Sequence, residues 1–226
     1  MTTLERELLL LVWGTLVGLD LVSVPQIMIA RPIVAGPITG LMLGDVATGL
    51  QLGVLFELFQ YDVLPVGAAR YPEYGPATVV AVSAAHAAAG TLGIGIGAVV
   101  GLVTAMLGGL SLDGLRRLNS RAVHAAAAAL EAGETSVLVR LHVFGILRDA
   151  ARAAGVTAVG LALAHAARLF LAGQLSVGGV TLLGIAAVAA AVAAATAGTL
   201  RVVGRGAGLR WFVAGVLGGS VLAWLR

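Results

Sequence analysis

The chain has 226 residues, 59% hydrophobic and 11% charged, with a mean hydropathy of +1.02. Soluble domains carry about 25% charged residues, so this composition excludes an ordinary soluble fold and requires that much of the apolar surface face lipid. The net charge of +3 comes from arginines alone, set mainly between apolar segments as in cytoplasmic loops, which argues against a nucleic-acid partner; the absence of cysteine excludes disulfides, thiolate metal sites and a cysteine nucleophile.

The first apolar run, from about Leu8 to Ala30, is long enough to cross a bilayer and carries Asp20, Pro25 and Gln26 in its second half. Met1 to Glu7 holds both signs of charge. No small-residue cleavage pattern follows it before Asp20, so a retained segment is expected and not a signal peptide.

Residues 31–76 combine strong apolarity with Asp45, Glu57, Asp62, Arg70 and Glu73, and are punctuated by Gly36, Pro37, Gly40, Gly44, Gly49, Gly53, Pro65 and Gly67. An ionisable group at membrane depth costs about 2.5 to 3.5 kcal/mol on insertion scales, so such groups face protein or a watery cavity. The glycines and prolines predict broken helices that line a polar substrate path. Ile33 to Phe59 reads as a re-entrant pair of half-helices turning at LGDVATG in preference to one irregular helix, and Tyr61 to Pro76 as a loop.

From Ala77 to Leu112 the apolar residues exceed one crossing and fit two helices or one long kinked one. Residues 113–135 then predict a separate amphipathic helix at the membrane surface, with Asp113 as its N-cap and Gly133 as its stop. The crowd of Arg116, Arg117, Arg121, Arg140, Arg148 and Arg152 puts this region in the cytoplasm. Crossings are expected at about Ala153 to Leu171 and Leu175 to Thr199, with a shorter segment from Trp211 to Leu225. The expected fold is therefore an all-α polytopic membrane protein, one domain over residues 1–226, with a broken-helix element and a cytoplasmic amphipathic helix.

Enzyme chemistry finds little support. There is no GxSxG elbow, no HExxH and no cysteine, and Ser83 with His86 at three-residue spacing reads as packing. A neutral sugar presents hydroxyls, which want well-placed carboxylates and amides in a low-dielectric pocket. Glu57, inside VLFELFQ, is the first candidate for that role; the competing reading is a buried acid paired with Arg31 or Arg70. Asp45 serves either the site or as the cap of a half-helix, and Glu73 and Gln26 complete the candidate set.

Arg31-Pro32-Ile33, Gly40 through Asp45, Thr48-Gly49, Gly53, Glu57, Gly67-Ala68-Ala69 and Pro72-Glu73, in this order and spacing, resemble the membrane IIC component of mannose/fructose/sorbose-type phosphotransferase systems. His142-Val143, after the basic amphipathic segment, also fits. The resemblance implies a sugar permease subunit of the bacterial inner membrane without cofactor or metal, working with a IID membrane subunit as an oligomer. It also implies that phosphoryl transfer belongs to cytoplasmic IIA and IIB proteins, so none of the four histidines is expected to carry phosphate. Gln60-Tyr61-Asp62 and Arg70-Tyr71 depart from the family pattern and leave the sugar open; degenerate regulatory and ion-coupled transport readings stand as alternatives.

Overall fold

The computed structural model describes residues 2–63, 70–86, 91–171, 177–203, 210, 211, 213–215, 217 and 218. Among these the elements are all helical: α1 (Thr3–Asp20), α2 (Pro32–Leu43), α3 (Val46–Gln60), α4 (Tyr74–His86), α5 (Thr91–Ala125), α6 (Ala127–Glu131), α7 (Thr135–Leu171) and α8 (Val177–Val203). Crossing about 30 Å of hydrocarbon takes about 20 residues. Stretches Gly93–Ala125, Thr135–Leu169 and Thr181–Gly198 are long and apolar enough to do so. The chain is an all-α polytopic membrane protein.

Helix α4 is the centre. Every residue from Tyr74 to Ala85 is buried, as expected of a helix apolar on all sides, and α1, α2, α3, α5 and α7 pack around it. The neighbours approach through glycines: a Cβ added at Gly97 of α5 would stand 2.7 Å from the Ala81 carbonyl, and one at Gly160 of α7 would stand 2.6 Å from Val80. Helix α1 runs antiparallel to α7, with Glu7 beside Arg168, Gly14 against Thr157 and Gly18 against Ala153.

Helices α2 and α3 form a hairpin turned at Gly44 and Asp45. Gly44 has φ 77°, the left-handed conformation that glycine adopts without strain, and Asp45 caps α3 by accepting the Thr48 N–H at 3.1 Å. Gly36, Gly40, Gly49 and Gly53, read from sequence as helix breakers, lie inside these two helices and bring their backbones into contact. A Cβ at Gly49 would sit 2.9 Å from the Gly40 Cα, and one at Gly53 would sit 2.7 Å from the Pro32 carbonyl.

Two boundaries differ from the sequence expectation, and a choice that it left open, two helices or one over residues 77–112, is decided for two. Helix α1 stops at Asp20 and not near Ala30, because the buried Asp20 carboxylate accepts the backbone N–H groups of Ile27 at 2.6 Å and Ala30 at 3.0 Å and so folds the chain back. Residues 77–112 divide between α4 and α5. Asp113 is not an N-cap: α5 continues through it to Ala125, since no proline interrupts the stretch, and its carboxylate bonds Arg70 and Arg117 at 3.0 Å each. Residues 113–135 thus form the end of α5, the short α6 and a turn at Gly133 (φ 78°), after which α7 starts at Thr135. Most of the segment expected from Trp211 to Leu225 lies outside the described residues.

Candidate functional site

The open end of the α2–α3 hairpin meets the C-terminus of α1, the N-terminus of α4 and the middle of α7 in a layer of buried charge. Asp20, Glu57, Glu73 and Asp149 are all buried there. Uncompensated, any one of them would be strongly unfavourable, so the bonding of each is the first question.

Glu57 pairs with Arg31, and its second oxygen accepts the backbone N–H of Ile33 at 3.2 Å. The last turn of α3 is thereby tied to the first turn of α2. Glu73 is held by Arg152, which donates Nη1–H to Oε2 at 2.5 Å and Nη2–H to Oε1 at 3.0 Å. The same guanidinium donates Nε–H to Asp149 Oδ1 at 2.8 Å, and Ser23 donates its hydroxyl to Asp149 Oδ2 at 2.5 Å. Glycines make room for Glu73: a Cβ at Gly108 would stand 2.6 Å from Oε2.

Beside Arg31 a cavity of about 390 Å³ opens between the loop after α1, the end of α3 and the start of α4, lined by Arg31, Gln60, Tyr61, Tyr71 and Tyr74 among others. A second lobe of about 200 Å³ shares Leu21, Ala30, Arg31 and Gln60 with it and reaches Asp20 and Gln26. Tyr74 is fixed by packing on Phe56 and Phe59 at 6.0 and 6.1 Å, and Tyr71 by Arg116, whose Nη2–H donates to its hydroxyl at 2.7 Å. Among the described residues the buried Nε–H of Arg31 has no acceptor. The cleft therefore offers donors, acceptors and aromatic faces on rigid supports.

The family described as "PTS system sorbose-specific iic component" matches residues 6–169. The chain belongs to this family. The chain is 34% identical to the sorbose-specific EIIC component of Klebsiella pneumoniae over 113 residues, 50% of this chain and 42% of that protein. With the mannose-specific EIIC component of Escherichia coli (strain K12) it shares 28% identity over 124 residues, 55% of this chain and 46% of that protein. It spans about half the length of the curated relatives it matches or less. A solved structure described as "Structure of membrane protein" superposes over 100% of this IIC-family chain and 95% of its own at a TM-score of 0.72 and 21% identity, which shows a shared fold.

Within this IIC-family fold the expected site residues separate. Glu57 and Gln26 gather around Arg31, Glu57 through its ion pair and Gln26 through the smaller lobe of the cleft. Glu73 adjoins that region but is spent on Arg152. Asp45 lies twelve residues before Glu57 along the hairpin, about 18 Å at 1.5 Å per residue, and its visible work is capping. Sequence reasoning missed Asp20, Asp149 and Arg152 as members of this layer. The available signal was an acid and an arginine three apart, Asp149 and Arg152, directly before the uncharged run from Ala153 to Ala164.

Proposed function

We propose that this chain is the permease subunit of a phosphoenolpyruvate-dependent sugar phosphotransferase system. In this reading it takes a neutral hexose-type sugar inward across the bacterial inner membrane, together with a IID subunit in an oligomer, for phosphorylation by cytoplasmic IIA and IIB proteins. The chain itself transfers no phosphoryl group. Residues 1–226 act as one membrane-embedded unit, with 31–76 as its substrate element and the α2–α3 hairpin re-entrant.

One observation carries the assignment of the site: the family-patterned segment that begins at Arg31 and ends at Glu73 folds back so that its two ends enclose the tyrosine-lined cleft. Gln60, Gln26, Arg31 and the tyrosine hydroxyls offer the mixed donors and acceptors that sugar hydroxyls require, and the rings offer flat apolar faces. Glu57 acts in this reading by aiming Arg31. Of the residues at which the sequence departs from the family pattern, Gln60, Tyr61 and Tyr71 line the cleft, and Asp62 and Arg70 are their chain neighbours. That supports a sugar preference particular to this chain.

Uptake of labelled sugars by cells expressing the chain with its IID, IIA and IIB partners tests the proposal. Tyr71→Ala and Glu57→Gln should each lower uptake about tenfold, the loss expected for one or two well-placed hydrogen bonds, while Asp45→Asn keeps the cap and leaves uptake unchanged. Wild-type uptake retained in both Tyr71→Ala and Glu57→Gln would remove the cleft from consideration.

A further inference from the structure

At the opposite end of the bundle, the start of α1, the tip of the hairpin, the end of α4 and the end of α7 surround a second cavity of about 290 Å³. Its polar lining is Thr3, Arg6 and Glu7 of α1, Ser83 and His86 of α4, and His165 and Arg168 of α7. These are the residues left over by the reading of the sugar cleft.

Among the residues that line this cavity, arginine outnumbers carboxylate. Two arginines face one carboxylate, and Glu7 is committed to Arg168 at 3.5 Å. Among the described residues Arg6 pairs with no carboxylate. The other acids at this end, Glu5 and Asp45, are not among the residues that line the cavity: Glu5 accepts the Thr2 backbone N–H at 2.8 Å, and Asp45 accepts that of Thr48 at 3.1 Å. Arg6 also stands in the first turn and a half of α1, where the positive end of the helix dipole repels a cation. The negative ends of α4 and α7 accommodate His86 and Arg168 but leave Arg6 unexplained.

We propose that this cavity binds a phosphate group. Arg6 and Arg168 supply charge and forked N–H donors, His86 a ring N–H, and the buried Ser83 a hydroxyl, all from helices fixed by packing. The shared chemistry is a tetrahedral oxyanion, carried either by a free phosphate or by the headgroup of an anionic lipid at the end of the bundle. The site is separate from the sugar cleft and does not rest on the transport reading.

The test uses the full chain. In a zwitterionic detergent, thermal unfolding followed by tryptophan fluorescence is titrated with inorganic phosphate at constant ionic strength, and in nanodiscs the melting temperature is compared between phosphatidylglycerol and phosphatidylcholine. A saturable rise with phosphate identifies a site open to the free anion, and a rise confined to phosphatidylglycerol identifies the headgroup. In whichever arm responds, Arg6→Gln and His86→Gln should each weaken the effect about tenfold, Arg6→Lys should restore part of it, and Arg121→Gln at the far end should change nothing. The proposal is overturned if neither phosphate nor phosphatidylglycerol stabilises the wild type, or if both Arg6→Gln and His86→Gln respond as the wild type does. Arg6→Lys guards against a folding defect, since it keeps the charge and the aliphatic stem.

Discussion

Arg152 bridges two acids of the charged layer, its side chain 6% exposed between Glu73 and Asp149. Removing it leaves two buried carboxylates without a counter-charge, which costs about 3 to 5 kcal/mol when one partner of a buried pair is lost. For a chain of this length each kcal/mol moves the melting temperature by about 2 to 4 °C. Arg152→Ala should therefore lower it by about 10 °C in detergent, whereas Glu73→Gln, which keeps a hydrogen-bond acceptor and removes one buried charge, should lower it by less than half as much. Equal losses would mean that the pair does not act as a charge pair. The legibility of these residues from sequence follows the same physics. Glu57 and Arg31 share one apolar stretch, so an ion pair between them was a visible alternative. Glu73 and Arg152 are 79 residues apart, and no spacing along a chain reports which faces of two distant helices meet.

At the scale of elements, glycine decides the hairpin. Gly36 and Gly40 on α2, and Gly49 and Gly53 on α3, each stand four apart, the small-xxx-small spacing that brings helix backbones together. The sequence showed the glycines and their density, but a glycine that breaks a helix and one that packs it have the same letter. Only Gly44, with its left-handed backbone, breaks the helix here. The contrast is measurable. A Cβ at Gly49 would stand 2.9 Å from the Gly40 Cα, while one at Gly114 of α5 meets nothing within 4 Å. Gly49→Ala should destabilise the protein by 1 to 3 kcal/mol, about the cost of overpacking, and Gly114→Ala should stabilise it by roughly 0.5 to 1 kcal/mol through helix propensity. Melting curves of the two variants with the wild type between them would bear this out; the reverse order would mean that the hairpin yields to an added methyl.

For the whole molecule, the antiparallel pairing of α1 with α7 fixes which charges share an end. Thr3, Arg6, the hairpin tip at Leu43, His86 and Arg168 gather at one end, while Asp20, Arg31, Arg70, Asp113 and Arg152 form a layer toward the other. Beyond that layer α5 and α7 continue together into the segment that carries Arg116, Arg117, Arg121, Arg140 and Arg148. Positively charged loops resist translocation, so the excess of arginine beyond the layer leads us to propose that this end is the cytoplasmic side. The sequence already supported this orientation from its arginine clusters; it could not show that the N-terminus lies at the opposite end, since the first segment carries too little charge to orient itself. The complete absence of native cysteine allows a clean test. A single cysteine at Ser120, exposed near the end of α5, should react with a membrane-impermeant maleimide in inside-out vesicles and be protected in intact cells, and one at Thr3 should do the opposite. Labelling of both from the same side would break the antiparallel arrangement of α1 and α7. Labelling with the two sides exchanged would keep the fold and invert it in the membrane, which would put the tyrosine-lined cleft at the outer face and the arginine-lined cavity at the inner one.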